Sequence, residues 1–398
     1  MSVLCKVMAS VLVLTLSLAA LGWGDGDQGN GRSEKEVSGQ STVYLGQDRD
    51  TWRPLMHTTV KLSDIKGIKS SFQMRTFDPE GVIFYGDTKS GEDWFVLSLK
   101  GGAPLMQIRK LNVVVSAAGG PKLNDGKWHT LEVSNQGKFV ILEVDGSDGL
   151  VVGMHSDVTE DDLSGDLRLA LGGILISKEK LLVPLGPQMD ACVRKGNWLN
   201  LSIPWKSEVP DLWPCYQNIQ PGSYFPGNGF AIYNTSVFHV EEGHSVKIEL
   251  WGDFDQMDGT ILSIKAPGQK PALVLVANNK TQELTVTDNE KLVVMKDSLK
   301  RLEIMLKADS PQDEDKEKES AFVMSGGTLS VQLGHSSAWK DGRLAIGGLL
   351  GENTGESKGN AGSQFLTGCL EKIQVQGRDL DLDLAVKHKS VSPHSCPA

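Results

Sequence analysis

The sequence has no excess of positive charge and, beyond its first residues, no long apolar run. Lys and Arg number 40 against 50 Asp and Glu, which gives a net charge of −10 without a basic stripe. A chain that binds nucleic acid or an anionic membrane surface through its charge needs the opposite balance. No segment after residue 24 approaches the length that spans a bilayer. Nucleic-acid binding and membrane insertion are therefore not expected.

Motifs of catalysis are also missing. The chain contains no GxSxG elbow, no HExxH helix and no Walker loop. His129 falls on the apolar period of Leu131 and Val133, so we interpret it as a packed structural histidine rather than a general base. We predict that the protein is not an enzyme and has no catalytic cofactor.

The N-terminal residues have the pattern of a secretory signal peptide. Lys6 precedes an apolar run over 7–21, which small residues follow at Gly22 and Gly24. We assign residues 1–24 to the signal and 25–41, which are rich in Gly, Ser and charge, to a flexible tail. The protein is expected to be secreted and extracellular.

Cysteine is scarce, and its count agrees with secretion. Cys5 lies inside the predicted signal, which leaves Cys192, Cys215, Cys369 and Cys396. Four cysteines in a secreted chain allow three disulfide connectivities. The spacing favours the pairs Cys192–Cys215 and Cys369–Cys396, because each would close the end of one half of the chain. Three acceptor triplets for N-glycosylation, at Asn200, Asn234 and Asn279, agree with an extracellular location.

The stretch 70–144 alternates short extended segments with turn residues. Apolar side chains repeat at a period of two, which places them on one face of a strand. Clusters such as Asp78-Pro79-Glu80-Gly81 and Asp125-Gly126 separate the segments. Closely spaced strands of this kind predict an antiparallel β-sandwich. The period-two sets are Phe72 and Met74; Val82 and Phe84; Phe95, Leu97 and Leu99; Leu131 and Val133; Val140, Leu142 and Val144.

A weak internal repeat divides the chain into two units. Residues 167–173 (LRLALGG) match 342–348 (GRLAIGG), and Ala191-Cys192-Val193 matches Gly368-Cys369-Leu370 at nearly the same offset. We predict two tandem sandwiches, residues 42–217 and 218–398.

Several of these motifs resemble a known family. DGKWHTLEV (125–133), VDG (144–146) and LALGG (169–173) resemble the laminin G-like signature, and FDPEGVIFYGD (77–87) with DWF (93–95) is similar to the family of sex hormone-binding globulins. The resemblance implies an all-β fold of two tandem laminin G-like, jelly-roll or lectin-like, antiparallel sandwiches. It also implies an extracellular carrier that binds sex steroids, androgens or oestrogens, between the sheets of the first sandwich.

The resemblance carries site residues onto this sequence. Ser70 would bond the ring A oxygen of a steroid, and Asp93 would accept from the hydroxyl at the other end. Lys110 stands where the family often has an asparagine, so its role depends on whether it pairs with Asp93 or contacts the ligand. The apolar walls would be Phe84, Phe95, Val133, Val140, Leu167 and Leu169. A lid loop is expected within 154–164.

A calcium site is the one metal site that the resemblance implies. The Asp78-Pro79-Glu80-Gly81 corner is, by itself, an ordinary type I turn. The family carries calcium at this corner, through the Asp78 carboxylate and the Glu80 main-chain carbonyl, so structural Ca²⁺ is expected. Leu111 and Ser164 occupy the positions of the zinc-binding histidines of some members, so no zinc is predicted there.

Two further expectations come from the family. Members form homodimers through the first sandwich, and Leu150 falls where an apolar interface residue is expected. The alternative function is a calcium-dependent adhesion or receptor-ligand protein, as other tandem laminin G-like pairs are.

Overall fold

A computed structural model describes most of the chain after residue 35. The described residues are 36–38, 41–47, 52–65, 67–88, 90–136, 138–153, 165–199, 201–238, 240, 244–288, 291–296, 298–307, 321–325, 327–333, 339–350 and 365–398. The predicted signal peptide, the predicted lid at 154–164 and the acceptor Asn200 lie outside them. No helix in this part of the chain is long and apolar enough to cross a membrane.

Fourteen strands form the first half of the fold. They are β1 (Glu36–Ser38), β2 (Val43–Tyr44), β3 (Met56–Lys61), β4 (Lys69–Thr76), β5 (Gly81–Thr88), β6 (Asp93–Lys100), β7 (Ala103–Lys110), β8 (Val113–Ala118), β9 (His129–Gln136), β10 (Phe139–Val144), β11 (Ser147–Gly153), β12 (Asp166–Leu171), β13 (Ala191–Trp198) and β14 (Pro204–Ser207). Single-turn 3-10 helices occur at Leu62–Asp64 and Lys178–Lys180. Strand β1 lies within the predicted flexible tail, where its main chain pairs with β14.

These strands make two antiparallel sheets that face each other. The eight-stranded sheet has the order β1-β14-β3-β12-β5-β6-β7-β8, and the six-stranded sheet has the order β11-β10-β9-β4-β13-β2. One apolar cluster fills the space between them, with members such as Phe72, Leu97 and Leu131. A second cluster, around Tyr85 and Trp94, covers the outer face of the eight-stranded sheet. Alternate residues of β6 therefore enter different clusters, as a period of two requires.

One predicted pair of side chains is split by a bulge. Val82 and Phe84 were expected on one face of their strand, but Val82 joins the outer cluster and Phe84 the inner one. Val82 pairs with Ser98 and Phe84 with Leu97, so β5 carries one extra residue at this point. A bulge reverses the facing of the residues beyond it, which makes the expectation wrong here.

The second half contains the remaining strands. They are β15 (Ile219–Pro221), β16 (Ser223–Pro226), β17 (Ala231–Asn234), β18 (Val246–Gly252), β19 (Gly259–Lys265), β20 (Pro271–Asn278), β21 (Glu283–Asp288), β22 (Lys291–Met295), β23 (Arg301–Leu306), β24 (Ala321–Ser325), β25 (Thr328–Leu333), β26 (Arg343–Ile346), β27 (Thr367–Val375), β28 (Arg378–Asp379), β29 (Val386–Lys387) and β30 (Ser395–Pro397). Single-turn 3-10 helices occur at Thr235–Val237, Phe254–Gln256 and Leu382–Leu384.

The second half repeats the two-sheet arrangement. One sheet has the order β16-β27-β18-β23-β25-β24 with β28 beside β27, and the other has the order β22-β21-β20-β19-β26-β17-β29. Pairing is antiparallel except between β23 and β25. A separate apolar cluster, with Phe225, Ile248 and Leu302 among its members, lies between the sheets. The predicted all-β fold of antiparallel sandwiches is confirmed.

Two disulfides close the ends of the halves. Cys192 is bonded to Cys215 and Cys369 to Cys396, the two pairs that the spacing favoured. The last strand, β30, pairs with β15 at the start of the second half. The C-terminal segment is thereby held beside the connection between the two sandwiches.

Candidate functional site

The residues predicted to contact a ligand come from both sheets of the first sandwich. Ser70 (β4), Val133 (β9) and Val140 (β10) belong to the six-stranded sheet, whereas Phe84 (β5), Asp93 and Phe95 (β6), Lys110 (β7), and Leu167 and Leu169 (β12) belong to the eight-stranded sheet. All six of the apolar residues are members of the inner cluster or pack against it. The structure therefore brings the predicted walls together between the sheets.

A glycine that no sequence motif singles out shapes one wall. Gly86 lies opposite Phe95 in one ladder and opposite Leu169 in the other. A Cβ at this position would come within 2.5 Å of Phe95 Cε1 and 3.2 Å of Leu169 Cδ2. The Phe95 ring can lie across the strand only because residue 86 has no side chain. The ring then meets Phe84 edge to face, with 5.2 Å between ring centroids.

Two tryptophans extend this aromatic wall. The Trp198 centroid lies 5.3 Å from that of Phe72 and 5.1 Å from that of Phe84. Trp205 packs against Trp198 at 5.1 Å. Both indoles are buried. Sequence pattern did not point to either indole, because both follow the recognised motifs at no fixed spacing. Their large apolar area was the only sign that they belong to the core.

Ser70 is buried at the six-stranded sheet. Its main chain pairs with Val133 on one side and with Trp198 on the other. Its Oγ accepts a hydrogen bond from the Leu199 main-chain N–H at 3.2 Å. A hydroxyl has one hydrogen to donate besides the lone pairs that accept. The bond from Leu199 therefore uses an acceptor lone pair of Ser70 and leaves its hydroxyl hydrogen to be donated.

Asp93 begins β6 and is half-buried. Its Oδ1 accepts a hydrogen bond of 2.6 Å from the main-chain N–H of Leu111, in the turn between β7 and β8. Leu111 has a φ of +55°, a left-handed conformation that a leucine adopts only when neighbouring contacts hold it. Lys110 ends β7 one residue earlier and is half-buried. Asp93 is thus fixed beside Lys110 as a hydrogen-bond acceptor.

His129 is structural, but carboxylates hold it rather than apolar packing. Its Nδ1 lies 2.8 Å from Asp145 Oδ2 and its Nε2 lies 3.0 Å from Asp125 Oδ1. Partial burial opposes its charge, but the hydrogen bonds to Asp145 and Asp125 outweigh burial and raise the pKa of His129. Burial likewise opposes the charge of Asp125, but hydrogen bonds from Lys127 and His129 lower the pKa of this carboxyl to about 2. These three side chains join the start of β9 to the turn after β10.

The predicted metal corner is built from hydrogen bonds. Asp78 is buried; its Oδ1 accepts from the Glu80 N–H at 2.9 Å and its Oδ2 from the Asp190 N–H at 2.8 Å. The Glu80 carboxylate accepts from Lys100 Nζ at 2.7 Å and from the Gly186 N–H at 2.8 Å. Donors of the first sandwich therefore bond both carboxylates of this corner.

Two side chains of the second half reach the same corner. His394 Nε2 lies 2.8 Å from Asp383 Oδ2 and 3.5 Å from Asp78 Oδ1. Burial opposes the charge of His394, but the hydrogen bond to Asp383 and the charge of Asp78 outweigh it and raise the pKa to about 9. Burial raises the pKa of Asp78 to about 7, against the effect of His394. The Asp383 side chain is exposed; desolvation opposes its charge, but its hydrogen bond with His394 lowers its pKa to about 2.

This donor set does not suit calcium. Calcium takes six to eight oxygen ligands at about 2.3–2.6 Å and does not favour nitrogen. One ligand atom from each of Asp78, Asp383 and His394 lies within 4.8 Å of the others, so an imidazole nitrogen occupies the place beside both carboxylates. The side chains around Asp78 therefore do not fit the calcium ion that was predicted at Asp78 and Glu80.

Comparisons with known proteins agree with the fold. The laminin G domain family matches residues 74–203. Human sex hormone-binding globulin is 32% identical over 356 residues, which cover 86% of this chain and 84% of that protein. Mouse growth arrest-specific protein 6 is 26% identical over 388 residues, which cover 89% of this chain and 56% of that protein. Domains LG4-5 of the mouse laminin alpha1 chain superpose with a TM-score of 0.63 at 19% identity, over 92% of this chain and 96% of that one.

The laminin structure shares the fold alone, whereas the globulin is related over nearly the whole chain. The alternation of short strands, the tandem sandwiches and this extended similarity together assign the chain to the sex hormone-binding globulin family.

Proposed function

We propose that the protein is an extracellular carrier that binds a sex steroid, an androgen or an oestrogen, reversibly between the two sheets of residues 42–217. One observation carries the proposal: the six predicted apolar walls, drawn from both sheets, meet at one cluster, with Ser70 and Asp93 on its two sheets. Residues 218–398 form the partner sandwich. No covalent step is involved.

The side chains match the chemistry of a steroid. A rigid apolar slab with a polar group at each end needs apolar walls and one hydrogen-bond partner per end. Ser70 can donate to a ketone, and Asp93 can accept from a hydroxyl. Phe95 and Phe84 offer flat apolar area for the rings. Binding is then burial of the ring system, with both ends fixed by hydrogen bonds.

The family supports the ligand class. The related globulin is named for binding sex hormones, and its similarity extends over most of both chains. Growth arrest-specific protein 6 is matched over little more than half of its length, so the adhesion or receptor-ligand function is the second candidate.

Secretion, glycosylation and dimerisation complete the proposal. The described acceptors Asn234 and Asn279 are both exposed, as glycosylation requires. Leu150 lies on β11, an edge strand of the six-stranded sheet that can pair with a second copy. We propose a homodimer through this edge, which sedimentation velocity of the ligand-free protein tests.

Equilibrium binding of a labelled androgen tests the carrier function. Wild-type protein should bind saturably with a Kd of about 1 nM, equivalent to about −12 kcal/mol. Ser70→Ala should weaken binding by about 1–3 kcal/mol, because it removes one ligand hydrogen bond. It also leaves the Leu199 N–H without its acceptor, so the variant's unfolding curve must be measured as well. Asp93→Ala should lose comparable affinity.

Neighbouring residues supply the controls. Ser71→Ala lies on the opposite face of β4, and Glu92→Ala changes an exposed acid beside Asp93. Both should keep wild-type affinity. Absence of steroid binding by the folded wild type would refute the proposal and direct attention to capture of a protein partner. Wild-type affinity in Ser70→Ala would remove Ser70 from the site.

A further inference from the structure

The contact between the two halves contains a cation that belongs to the chain itself. Asp78 lies in the corner between β4 and β5 of the first sandwich, and Asp383 and His394 belong to the second half. The His394 imidazole lies between the two carboxylates, at 2.8 Å from Asp383 and 3.5 Å from Asp78.

Hydrogen bonds and a disulfide hold the backbone around His394 and thereby place its imidazole at the corner. The His394 N–H donates to Asp190 Oδ2 at 3.2 Å, and its carbonyl accepts from the Gly222 N–H at 3.3 Å. The next residue, Ser395, donates to the same Asp190 carboxylate from its N–H and its Oγ, each at 2.9 Å to Oδ2. Cys396 is held to Cys369. These four hydrogen bonds and the disulfide position this short segment.

Carboxylates outnumber cations near this corner. Three carboxylates, those of Asp78, Asp190 and Asp383, face two cations, His394 and Lys387. Lys387 Nζ bonds Asp383 Oδ1 at 2.9 Å, on the side of the carboxylate away from His394. Without the imidazolium, the buried Asp78 carboxylate would lack a cationic partner, which is costly in a protein interior.

We infer that the His394 imidazole, held 2.8 Å from Asp383 and 3.5 Å from Asp78, takes the place of a metal ion at this corner, so that the two halves are joined there by direct side-chain contacts and not by calcium. The contact is intrinsic to the chain, and its strength is independent of the calcium concentration outside the cell. This inference does not depend on steroid binding, since it concerns the ligand-free protein. The donor atoms that a calcium ion would need are engaged by His394 from one side and by main-chain N–H groups from the other.

Calcium titration of the full chain tests the inference. Thermal unfolding of the wild type should be the same in chelator and in about 5 mM Ca²⁺, which exceeds the Kd of about 0.1–1 mM typical of extracellular calcium modules. Calorimetric titration should give no saturable calcium heat. His394→Gln removes the cation and should unfold at a lower temperature in chelator. Calcium should restore part of that loss, because the two carboxylates are then without a cation between them.

Two further variants make the result specific. His394→Lys keeps a cation and should remain indifferent to calcium. His388→Gln changes the other described histidine of the same segment, which bonds Ser390 Oγ at 2.7 Å and no carboxylate, and should also remain indifferent. A saturable rise in wild-type unfolding temperature with calcium, abolished by Asp78→Asn, would overturn the inference. Zinc binding to the wild type that His394→Gln abolishes would also overturn it, since the imidazole would then be a metal ligand.

Discussion

A methyl group at residue 86 would fall on the ring that we propose packs against the steroid. The Cβ of Gly86→Ala would lie 2.5 Å from Phe95 Cε1, 3.1 Å from Phe95 Cδ1 and 3.2 Å from Leu169 Cδ2. Contacts below 3.0 Å between carbon atoms are not tolerated, so the ring has to move. The main chain of β5 is extended at this point, and alanine meets no backbone strain there.

The cost has two opposing parts. Overpacking a filled site destabilises by about 1–3 kcal/mol, whereas replacing glycine by alanine in a permitted conformation stabilises by about 0.4–1 kcal/mol. We therefore expect a net loss of about 1 kcal/mol in the free energy of unfolding. Part of that loss is the edge-to-face contact with Phe84, which is worth about 0.5–1.5 kcal/mol.

Steroid binding should respond more strongly than stability. The displaced Phe95 ring moves into the space between the sheets, so we expect androgen affinity to fall by about tenfold, or about 1.4 kcal/mol. Urea unfolding and equilibrium binding of a labelled androgen measure the two effects on the same preparation. Gly67→Ala is the matched control, because a Cβ there meets no atom within 4 Å.

A double variant isolates the cause. Phe95→Leu shortens the side chain that meets the new methyl group, so Gly86→Ala should cost less stability in that background than in the wild type. Unchanged stability and affinity in Gly86→Ala would refute the close packing of residue 86 and Phe95. Equal costs in both backgrounds would show that the loss arises elsewhere.

Two other substitutions test the polar residues of the first sandwich. Lys110→Asn should change the rank order of 17-hydroxy and 17-keto steroids in competitive binding, because it replaces a cation beside Asp93 by a neutral donor and acceptor; an unaltered order would place Lys110 outside the site. His129→Gln should destabilise the protein by about 1–2 kcal/mol, since it removes two charge-assisted hydrogen bonds to partly exposed carboxylates. The raised pKa of His129 gives a stabilisation that is complete below about pH 6.5 and lost as the pH rises through the folded-state value. The lowered pKa of Asp125 gives one that is complete above about pH 4 and lost toward pH 2. The difference in unfolding free energy between wild type and His129→Gln should therefore be largest between about pH 4 and 6.5, and a difference independent of pH would contradict the ion-pair geometry.

Local pattern was sufficient to predict the sheets of this protein. Leu131 and Val133 enter the inner cluster from one strand, and Leu97 and Leu99 enter it from another, as a period of two requires. The same pattern failed at Val82, because one extra residue in a strand leaves no mark in the alternation of apolar side chains. Turn residues mark where strands end, but bulges are fixed by pairing with a neighbouring strand.

Contacts between distant segments were beyond the reach of sequence pattern. Trp198 completes the aromatic wall from a strand far along the chain from Phe72 and Phe84. His394 reaches Asp78 from the C-terminal segment of the other half. Such contacts depend on how the sheets and halves pack, and a single histidine or tryptophan carries no sequence signal of its partner.

The corner between β4 and β5 combines a turn that local sequence predicts with a contact from a distant segment. Strand β4 belongs to the six-stranded sheet and carries Ser70, whereas β5 belongs to the eight-stranded sheet and carries Phe84 and Gly86. Residues 77–80 are the chain's short crossing between the two sheets, directly between the strands that carry Ser70 and Phe84. Asp78 holds that crossing by accepting from two main-chain N–H groups.

The second sandwich contacts the same crossing. His394 pairs with Asp78, and Ser395 bonds the neighbouring Asp190, so the C-terminal segment fixes both residues that shape the corner. A site whose walls already stand at the right separation loses less free energy to ordering when the ligand enters. The second half thus holds the crossing that joins the strands of Ser70 and Phe84, which carry the two walls of the proposed site.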